Sequence, residues 1–378
     1  MINTEKLYNQ LCELQSQYPE PLFFKTEHNV QGYKAHIFVY KLARYDTMSK
    51  NVLLSEMRGI TFLINKDGSL FKHYLSLHKF YNVNENESTL LSKLQEKKLT
   101  AVYEKEDGSL ITFVDLPNKN IVAKTKGSFD NEECKVMQKY YDSNVVLQNF
   151  VEVCLKNNLQ PFFEYTSPMN KIVLDYPVTE CRLLCIRDNS TFEYKNIDFV
   201  MKEYNTYYDL LPKKVNLTLS EVLEICKTKE DFEGYVLQFG NDFAKSKCDW
   251  YFRMHRMTFD TLTKENDIIQ LYFDEKLDDA VSMLDESMVV KRQFIKDVVL
   301  NIENAFKTLY NDAEELKRKF NGSIKDFAIS YKKEETFDAA IRSMRENTDC
   351  SEGVKNYILK KTKRYNEAKE FLKKYKTI

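Results

Sequence analysis

Lys105-Glu106-Asp107-Gly108-Ser109 sets an amine, two carboxylates and a permissive backbone position in five consecutive residues, between the strand-like runs Ala101 to Tyr103 and Leu110 to Phe113. By itself the segment reads as a charged hairpin turn, because Asp-Gly is a strong turn dipeptide. The chain repeats the combination elsewhere. Arg58-Gly59, Lys126-Gly127-Ser128, Glu233-Gly234 and the close pair Lys245 and Lys247 all stand at the edges of strand-like runs. Cations suit phosphate oxygens, and carboxylates suit the water shell of a divalent metal. These are the side-chain types that would hold a triphosphate by charge.

If the chain handles a nucleotide, the glycine count requires that side-chain charges hold its phosphates. Nine glycines in 378 residues is well below the roughly 7% of an average chain. There is no Gly-x-Gly and no Gly-x-x-x-x-Gly-Lys, which excludes the dinucleotide fingerprint, the Gly-rich kinase loop and the P-loop. Four of the nine, Gly59, Gly108, Gly127 and Gly234, stand beside Arg58, Asp107, Lys126 and Glu233, where the backbone must turn tightly or let a ligand approach. With 56 basic and 57 acidic residues the net charge is -1, so any nucleic-acid surface must be local. The five histidines, His28, His36, His73, His78 and His255, and the eight scattered cysteines show no zinc spacing. The cysteine spacing is that of buried thiols in a reducing compartment.

The charged set resembles the motifs of the covalent nucleotidyltransferases, which comprise ATP-dependent ligases and RNA capping enzymes. Within that superfamily it is most similar to the bacteriophage T4 RNA ligase 1 family. Lys105-Glu106-Asp107-Gly108 fits the Lys-x-Asp-Gly nucleophile motif. Glu164 in Phe162-Phe163-Glu164-Tyr165, the apolar run Leu183 to Arg187, Glu233-Gly234-Tyr235-Val236 and Lys245-Ser246-Lys247 follow in the family's order. Further resembling segments are Glu56 to Phe62, His78 to Asn84, Lys124 to Ser128, Asn170 to Tyr176 and Cys248 to Tyr251.

The resemblance implies that Lys105 attacks the α-phosphate of ATP to give a lysyl-AMP. An ammonium cannot do this, so the usual amine pKa of ~10.4 must be depressed. Lys245 and Lys247 would add like-charge pressure and bind the α-phosphate. Asp107, Glu164 and Glu233 would hold the waters of Mg2+, with Mn2+ as a substitute. Arg58, Lys79, Gly108 and Lys126 would contact the nucleotide, Tyr251 would approach the same pocket, and Tyr81 would pack near it. Lys124 is a weaker candidate, since an alternating Lys-Thr-Lys strand points one lysine inward. Structural alternatives stay open: Glu164 as a core carboxylate paired with Arg182 or Arg187, Arg58 as a structural ion pair, and Trp250 and Tyr251 as core aromatics.

Short β-branched and aromatic runs between about Gln31 and Tyr251 must carry these residues. They include Ala35 to Lys41, Gly59 to Ile64, Leu110 to Asp115, Ile121 to Thr125, Arg182 to Arg187 and Tyr235 to Phe239. Helical patterns at Met1 to Leu14, Glu132 to Lys156 and Leu219 to Thr228 flank them. The expected class is α+β: a nucleotidyltransferase domain on antiparallel sheets over 1–253, then an all-α domain over 254–378. No proline follows Pro212, and 3.6-residue periodicity runs through Val289 to Phe320, Thr336 to Arg345 and Lys355 to Lys376. The small barrel of capping enzymes and DNA ligases needs turns that this tail lacks glycine and proline to make.

From Lys355 to Ile378 nine basic residues face two acids, with Tyr357, Tyr365, Phe371 and Tyr375 interleaved. That segment is either a solvated amphipathic helix or a phosphate-tracking surface. The reading is an ATP-dependent RNA ligase joining 3′-OH and 5′-phosphate ends, acting on RNA such as a nicked tRNA anticodon loop. It would work as a cytoplasmic monomer, in the host cytoplasm if phage-encoded, beside a separate kinase-phosphatase and without a membrane. The alternatives are a GTP-dependent capping-type enzyme, a DNA ligase or a non-catalytic RNA-binding relative. Deleting residues after about Arg253 is expected to spare adenylation but impair sealing of a nicked anticodon loop. Equal sealing of structured and unstructured RNA by the truncated protein would count against a recognition role for the tail.

Overall fold

The computed structural model describes residues 3–18, 22–41, 45–259, 263–274, 277–282, 289–320, 322–346 and 349–376. Of residues 255–259, 278, 279, 282 and 346 it describes the backbone alone, so His255 lies outside the described side chains. The elements in chain order are α1 (Thr4–Gln17), β1 (Phe23–Val30), β2 (Tyr33–Tyr40), α2 (Tyr45–Met48), α3 (Val52–Glu56), β3 (Arg58–Ile64), β4 (Leu70–Tyr74), β5 (Tyr81–Asn82), α4 (Leu91–Gln95), β6 (Ala101–Lys105), β7 (Ser109–Asp115) and β8 (Ile121–Lys124). Next come α5 (Glu132–Ser143), α6 (Val145–Lys156), β9 (Leu159–Thr166), β10 (Glu180–Asp188), β11 (Tyr194–Lys195), α7 (Ile197–Glu203), β12 (Lys214–Val215), α8 (Leu219–Thr228), β13 (Gly234–Phe239), β14 (Asp242–Lys247) and α9 (Asp249–Phe259). The remainder is helical: α10 (Glu265–Phe273), α11 (Leu277–Ser282), α12 (Val289–Lys319), α13 (Ile324–Tyr331), α14 (Phe337–Glu346), α15 (Ser351–Lys361) and α16 (Tyr365–Lys373). The class is α+β, with antiparallel sheets followed by a helical region. Among the described residues no helix is long and apolar enough to cross a membrane.

Two compact units emerge: residues 1–14, 37–39 and 44–258 in the first, and residues 15–36, 40–43 and 259–378 in the second. The first holds two five-stranded sheets, with orders β11-β10-β9-β7-β8 and β12-β6-β13-β14-β5. β6 pairs with β12 and β13, whereas β7 pairs with β8 and β9. The segment Glu106 to Gly108 is therefore a crossover between sheets, and the hairpin reading of Lys105 to Ser109 is overturned. Local chemistry could not show this, because a turn dipeptide fixes the bend and not the partner of the next strand.

Capping explains where the long helical patterns break. The pattern over 132–156 divides at Asn144, whose amide donates to Tyr141 O while its side chain accepts from Leu147 N at 2.9 Å. α8 starts at Thr218 with a reciprocal box, Thr218 Oγ1 receiving Glu221 N and Glu221 receiving Thr218 N. The terminal pattern also divides, between Lys361 and Tyr365, where Arg364 is extended at φ -111°. β1 lacked a sequence signal. Its polar alternation, with Lys25, Glu27 and Asn29 partly or fully exposed, gives only a half-buried strand.

A buried ion pair ties the first unit together. Arg187 on β10 donates to both oxygens of Glu56, at 2.7 and 2.8 Å, and lies 4.9 Å from the Tyr194 ring. Tyr194 in turn bonds His78 at 2.6 Å, and burial holds His78 at about 4, uncharged at neutral pH. In the second unit, Ile268, Val298, Ile302, Val354, Ile358, Phe371 and Leu372 form one apolar core with Tyr357 and Tyr375 packed against it. Tyr365 stays 41% exposed. Three of the four interleaved aromatics thus serve packing, and Tyr365 is left at the surface.

Removing one partner of a buried pair strands the other charge. Glu56→Ala is expected to cost about 3–5 kcal/mol in denaturant unfolding, and Lys34→Ala, which breaks an exposed pair with Glu27, about 0–1 kcal/mol. Equal losses for the two variants would contradict this account.

Candidate active site

β6, β13 and β14 lie side by side with Lys105 opposite Gly234 and Gly234 opposite Lys247. This register puts two lysines at equivalent heights on either side of a glycine. Glu233, the residue before it, spans them: Lys105 Nζ lies 2.9 Å from Oε2 and Lys247 Nζ 3.0 Å from Oε1. Glu233 is 2% exposed. Burial pushes its carboxyl up, but Lys105 and Lys247 outweigh that and hold it below the usual carboxylate range. Gly234 has φ +144°, and a Cβ there would fall 2.1 Å from Ser246 O. Only glycine lets the three strands close up at this row.

Asp107 and Glu164 meet the same point from the crossover and from the second sheet. Asp107 Oδ1 accepts from the Tyr251 hydroxyl at 2.7 Å, and Oδ2 accepts from the amides of Val173 and Leu174, each at 2.8 Å. Glu164 on β9 accepts from the amide of Gly108 at 3.0 Å. A Cβ on Gly108 would lie 2.4 Å from Tyr165 O, so the crossover can lie this close to β9 only as glycine. Burial first, then the Glu233 charge, raises the Asp107 carboxyl. Burial pushes Glu164 up to about 8, with Lys105 opposing and Glu233 and Glu106 adding to the rise. Glu164 is therefore protonated at neutral pH while Glu233 is ionised.

For Glu164 and Tyr251 the structure names the partners. Glu164 pairs with neither arginine: Arg187 holds Glu56, and Arg182 holds Glu106 at 2.9 Å and Glu180. Lys213 also reaches Glu106, at 2.7 Å. Tyr251 is both a core aromatic, 2% exposed, and a partner of Asp107, with Lys247 Nζ 4.9 Å from its ring. Lys105, Asp107, Gly108, Glu164, Glu233, Lys247 and Tyr251 thus form one contacting set.

Arg58, Lys79 and Lys126 gather around the start of β3. Arg58 Nη1 donates to Leu77 O at 3.2 Å, and the Lys79 amide donates to Ser55 O. The Lys79 ammonium lies 5.4 Å from the Tyr81 ring. Gly59, at φ +115°, packs against the Lys126 carbonyl. Lys124, not Lys126, is the fully buried lysine of its strand, donating to Gly59 O and Thr125 O. Lys245 stands two residues from Lys247 and so on the same face of β14, with its ammonium 5.4 Å from the Phe80 ring.

Sequence reasoning missed the Val173 and Leu174 amides, which leave no trace in residue type. It also missed Tyr176, whose hydroxyl accepts from the Asp107 amide at 2.9 Å, and Arg182 and Lys213 as the neutralisers of Glu106. Among the described residues no three acidic, histidine or cysteine groups are placed to ligate a metal directly. Asp107 and Glu233 already hold protein donors on both oxygens, so this set suits an ion kept in its own water shell.

A carboxyl raised to about 8 in the fold against an ordinary value of 4.5 binds a proton that the unfolded chain has lost. Between those two values rising pH therefore destabilises the fold, by at most about 1.4 kcal/mol per pH unit for one group. Melting curves from pH 5 to 9 should show the wild type losing stability relative to Glu164→Gln. Parallel curves would mean that Glu164 is ionised throughout.

Comparison with known proteins adds the family. The model of the T4 RNA ligase 1 family, described as RNA ligase, matches residues 56–259. A protein of Thermovibrio ammonificans assigned as an RNA ligase is 25% identical over 301 residues, 78% of this chain and 77% of its own. An archaeal ATP-dependent RNA ligase superposes over 94% of this chain and 99% of its own at a TM-score of 0.49 and 13% identity. A Naegleria gruberi RNA ligase with PPi does so over 48% and 58% at a TM-score of 0.39 and 16% identity. Matching over more than half of its length, from Glu56 to Phe259, the chain belongs to the RNA ligase family of the T4 RNA ligase 1 type.

Proposed function

We propose that this protein is an ATP-dependent RNA ligase acting through a covalent lysyl-AMP. The reading rests above all on the shared carboxylate of Glu233, which fixes the amine of Lys105 beside a second cation, Lys247, at the junction of two sheets. Lys105 is 22% exposed at its side chain, and Lys247 only 6%. The first can meet a substrate, and the second is set to bind phosphate oxygen behind it.

In the first step Lys105 Nζ, having given up a proton, attacks the α-phosphorus of ATP. A P–N bond forms, the bond to the β-phosphate oxygen breaks and pyrophosphate leaves. The Glu233 carboxylate 2.9 Å away is positioned to take that proton or pass it to solvent. Lys245, Lys247, Arg58, Lys79 and Lys126 would bear on the phosphates and ribose. A divalent cation such as Mg2+ supplies, when bound, positive charge against the triphosphate, and Asp107, Glu164 and Glu233 would hold its waters. In the second step an RNA 5′-phosphate oxygen displaces Lys105 from the AMP phosphorus. In the third a 3′-OH attacks the RNA phosphate, forming the phosphodiester and releasing AMP.

Residues 1–253 would carry this chemistry and 254–378 would recognise the RNA. Lys360, Lys361, Lys363 and Arg364 cluster around the break between α15 and α16 next to the exposed Tyr365, an arrangement of cations and one aromatic that suits a folded RNA such as tRNA. A separate kinase-phosphatase would supply the 5′-phosphate and 3′-OH ends. Incubation with α-labelled ATP and Mg2+ should give a labelled protein-AMP adduct, absent in Lys105→Ala. An adduct that survives this substitution, or labelling by GTP alone, would overturn the proposal.

A further inference from the structure

Two of the eight cysteines meet at the end of β14, next to Lys247. Cys226 of α8 donates its thiol proton to Ser246 O and accepts from the Ser246 hydroxyl, both at 3.4 Å. Cys248 carries the β14 ladder one residue further, its amide donating to Glu233 O at 2.8 Å. Residues two apart on a strand share a face, so Cys248 lies on the side of Ser246. There its thiol meets that of Cys226, and both are free. A groove of about 530 Å3 runs between α8 and this face of β14, and Cys226 lines it with Leu223 and Ser246. Cys248 is fully buried. All of these residues belong to the first unit.

We propose that Cys226 and Cys248 form a peroxide-reactive thiol site whose disulfide slows the adenylation of Lys105. The slowing rests on the ligase reading above; the disulfide does not. Hydrogen bonding by the Cys248 thiol holds the Cys226 thiol below its ordinary value; burial opposes this and the Ser246 hydroxyl adds to it. Burial pushes the thiols of Cys154, Cys181, Cys185 and Cys350 the other way. Hydrogen peroxide reaches Cys226 through the groove. The Cys226 thiolate attacks one peroxide oxygen, the O–O bond breaks, and the released hydroxide leaves as water with the proton Cys226 gave up. Cys248 sulfur then attacks the sulfenic acid on Cys226, forming the S–S bond and breaking the S–O bond, and a second water leaves with the Cys248 proton. Two thiols are oxidised and one peroxide is reduced. The sulfurs must close from contact to about 2.05 Å, which draws the end of β14 towards α8. Lys247 and the Glu233 carbonyl are bonded directly to that end, so the row holding Lys105 shifts with it.

The test treats full-length reduced protein with hydrogen peroxide, alkylates the remaining thiols and maps peptides without reduction by mass spectrometry. A Cys226–Cys248 cross-linked peptide is expected ahead of oxidation at the other cysteines. Protein-AMP formation should slow by about tenfold or more, and dithiothreitol should restore it. Cys226→Ser should form the adduct at the wild-type rate and lose its sensitivity to peroxide. Cys248→Ala should stop at a sulfenic acid on Cys226, trapped by dimedone, which is read independently of adenylation. Absence of the cross-link while other cysteines oxidise overturns the site. Cross-linked protein that adenylates at the rate of the untreated protein overturns the effect on Lys105. Were untreated wild-type protein to form no adduct, the lysyl-AMP reading would fall, and peptide mapping would still decide the disulfide.

Discussion

The carboxylate of Glu233 is the point on which the site depends. It is buried, it carries its charge only because Lys105 and Lys247 grip opposite oxygens, and those lysines come from strands on either side of its own. Such a pair of contacts is strong only where water is scarce, and here just 2% of Glu233 is exposed. The demand propagates into the backbone. The three strands must come close at this row, and Gly234 is what allows it.

Around that pair the acidic groups are kept in different states by their surroundings. Glu106 is neutralised outside the cluster by Arg182 and Lys213. Asp107 is held by two amides and a tyrosine hydroxyl, so its orientation is fixed without a cation. Glu164 is buried with one amide contact, and it keeps its proton. Glu164 and Glu233, brought together from different sheets, therefore differ in charge at neutral pH, which is how one pocket can present both an anion and a proton donor. Positive charge entering the pocket would shift Glu164 towards ionisation, coupling ligand occupancy to its proton.

The helical part of the second unit is built by a different rule. Its core is a continuous apolar seam shared by α10, α12, α15 and α16, and the basic residues of the last two helices lie outside that seam. Amphipathic packing decides which aromatics are spent on folding. Phe371 and Tyr375 lie at helical spacing and pack together at 5.1 Å between ring centroids, while Tyr365 falls on the outward face.

Much of this was legible in the sequence, for a stated reason. Strands such as Leu110 to Asp115 and the helix Leu219 to Thr228 announce themselves by local periodicity and capping, which need no tertiary partner. Charged residues beside rare glycines marked the site, because backbone that must approach a neighbour cannot carry a Cβ. Local pattern could not show that Glu106 to Gly108 crosses between sheets, that Arg182 serves Glu106 and not Glu164, or that the amides of Val173 and Leu174 hold Asp107. Partners distant in sequence are chosen by sheet register, and a proton on Glu164 is set by burial. Residue types determined what chemistry this chain could do; which carboxylate meets which lysine, and in what charge state, was decided only when the two sheets met.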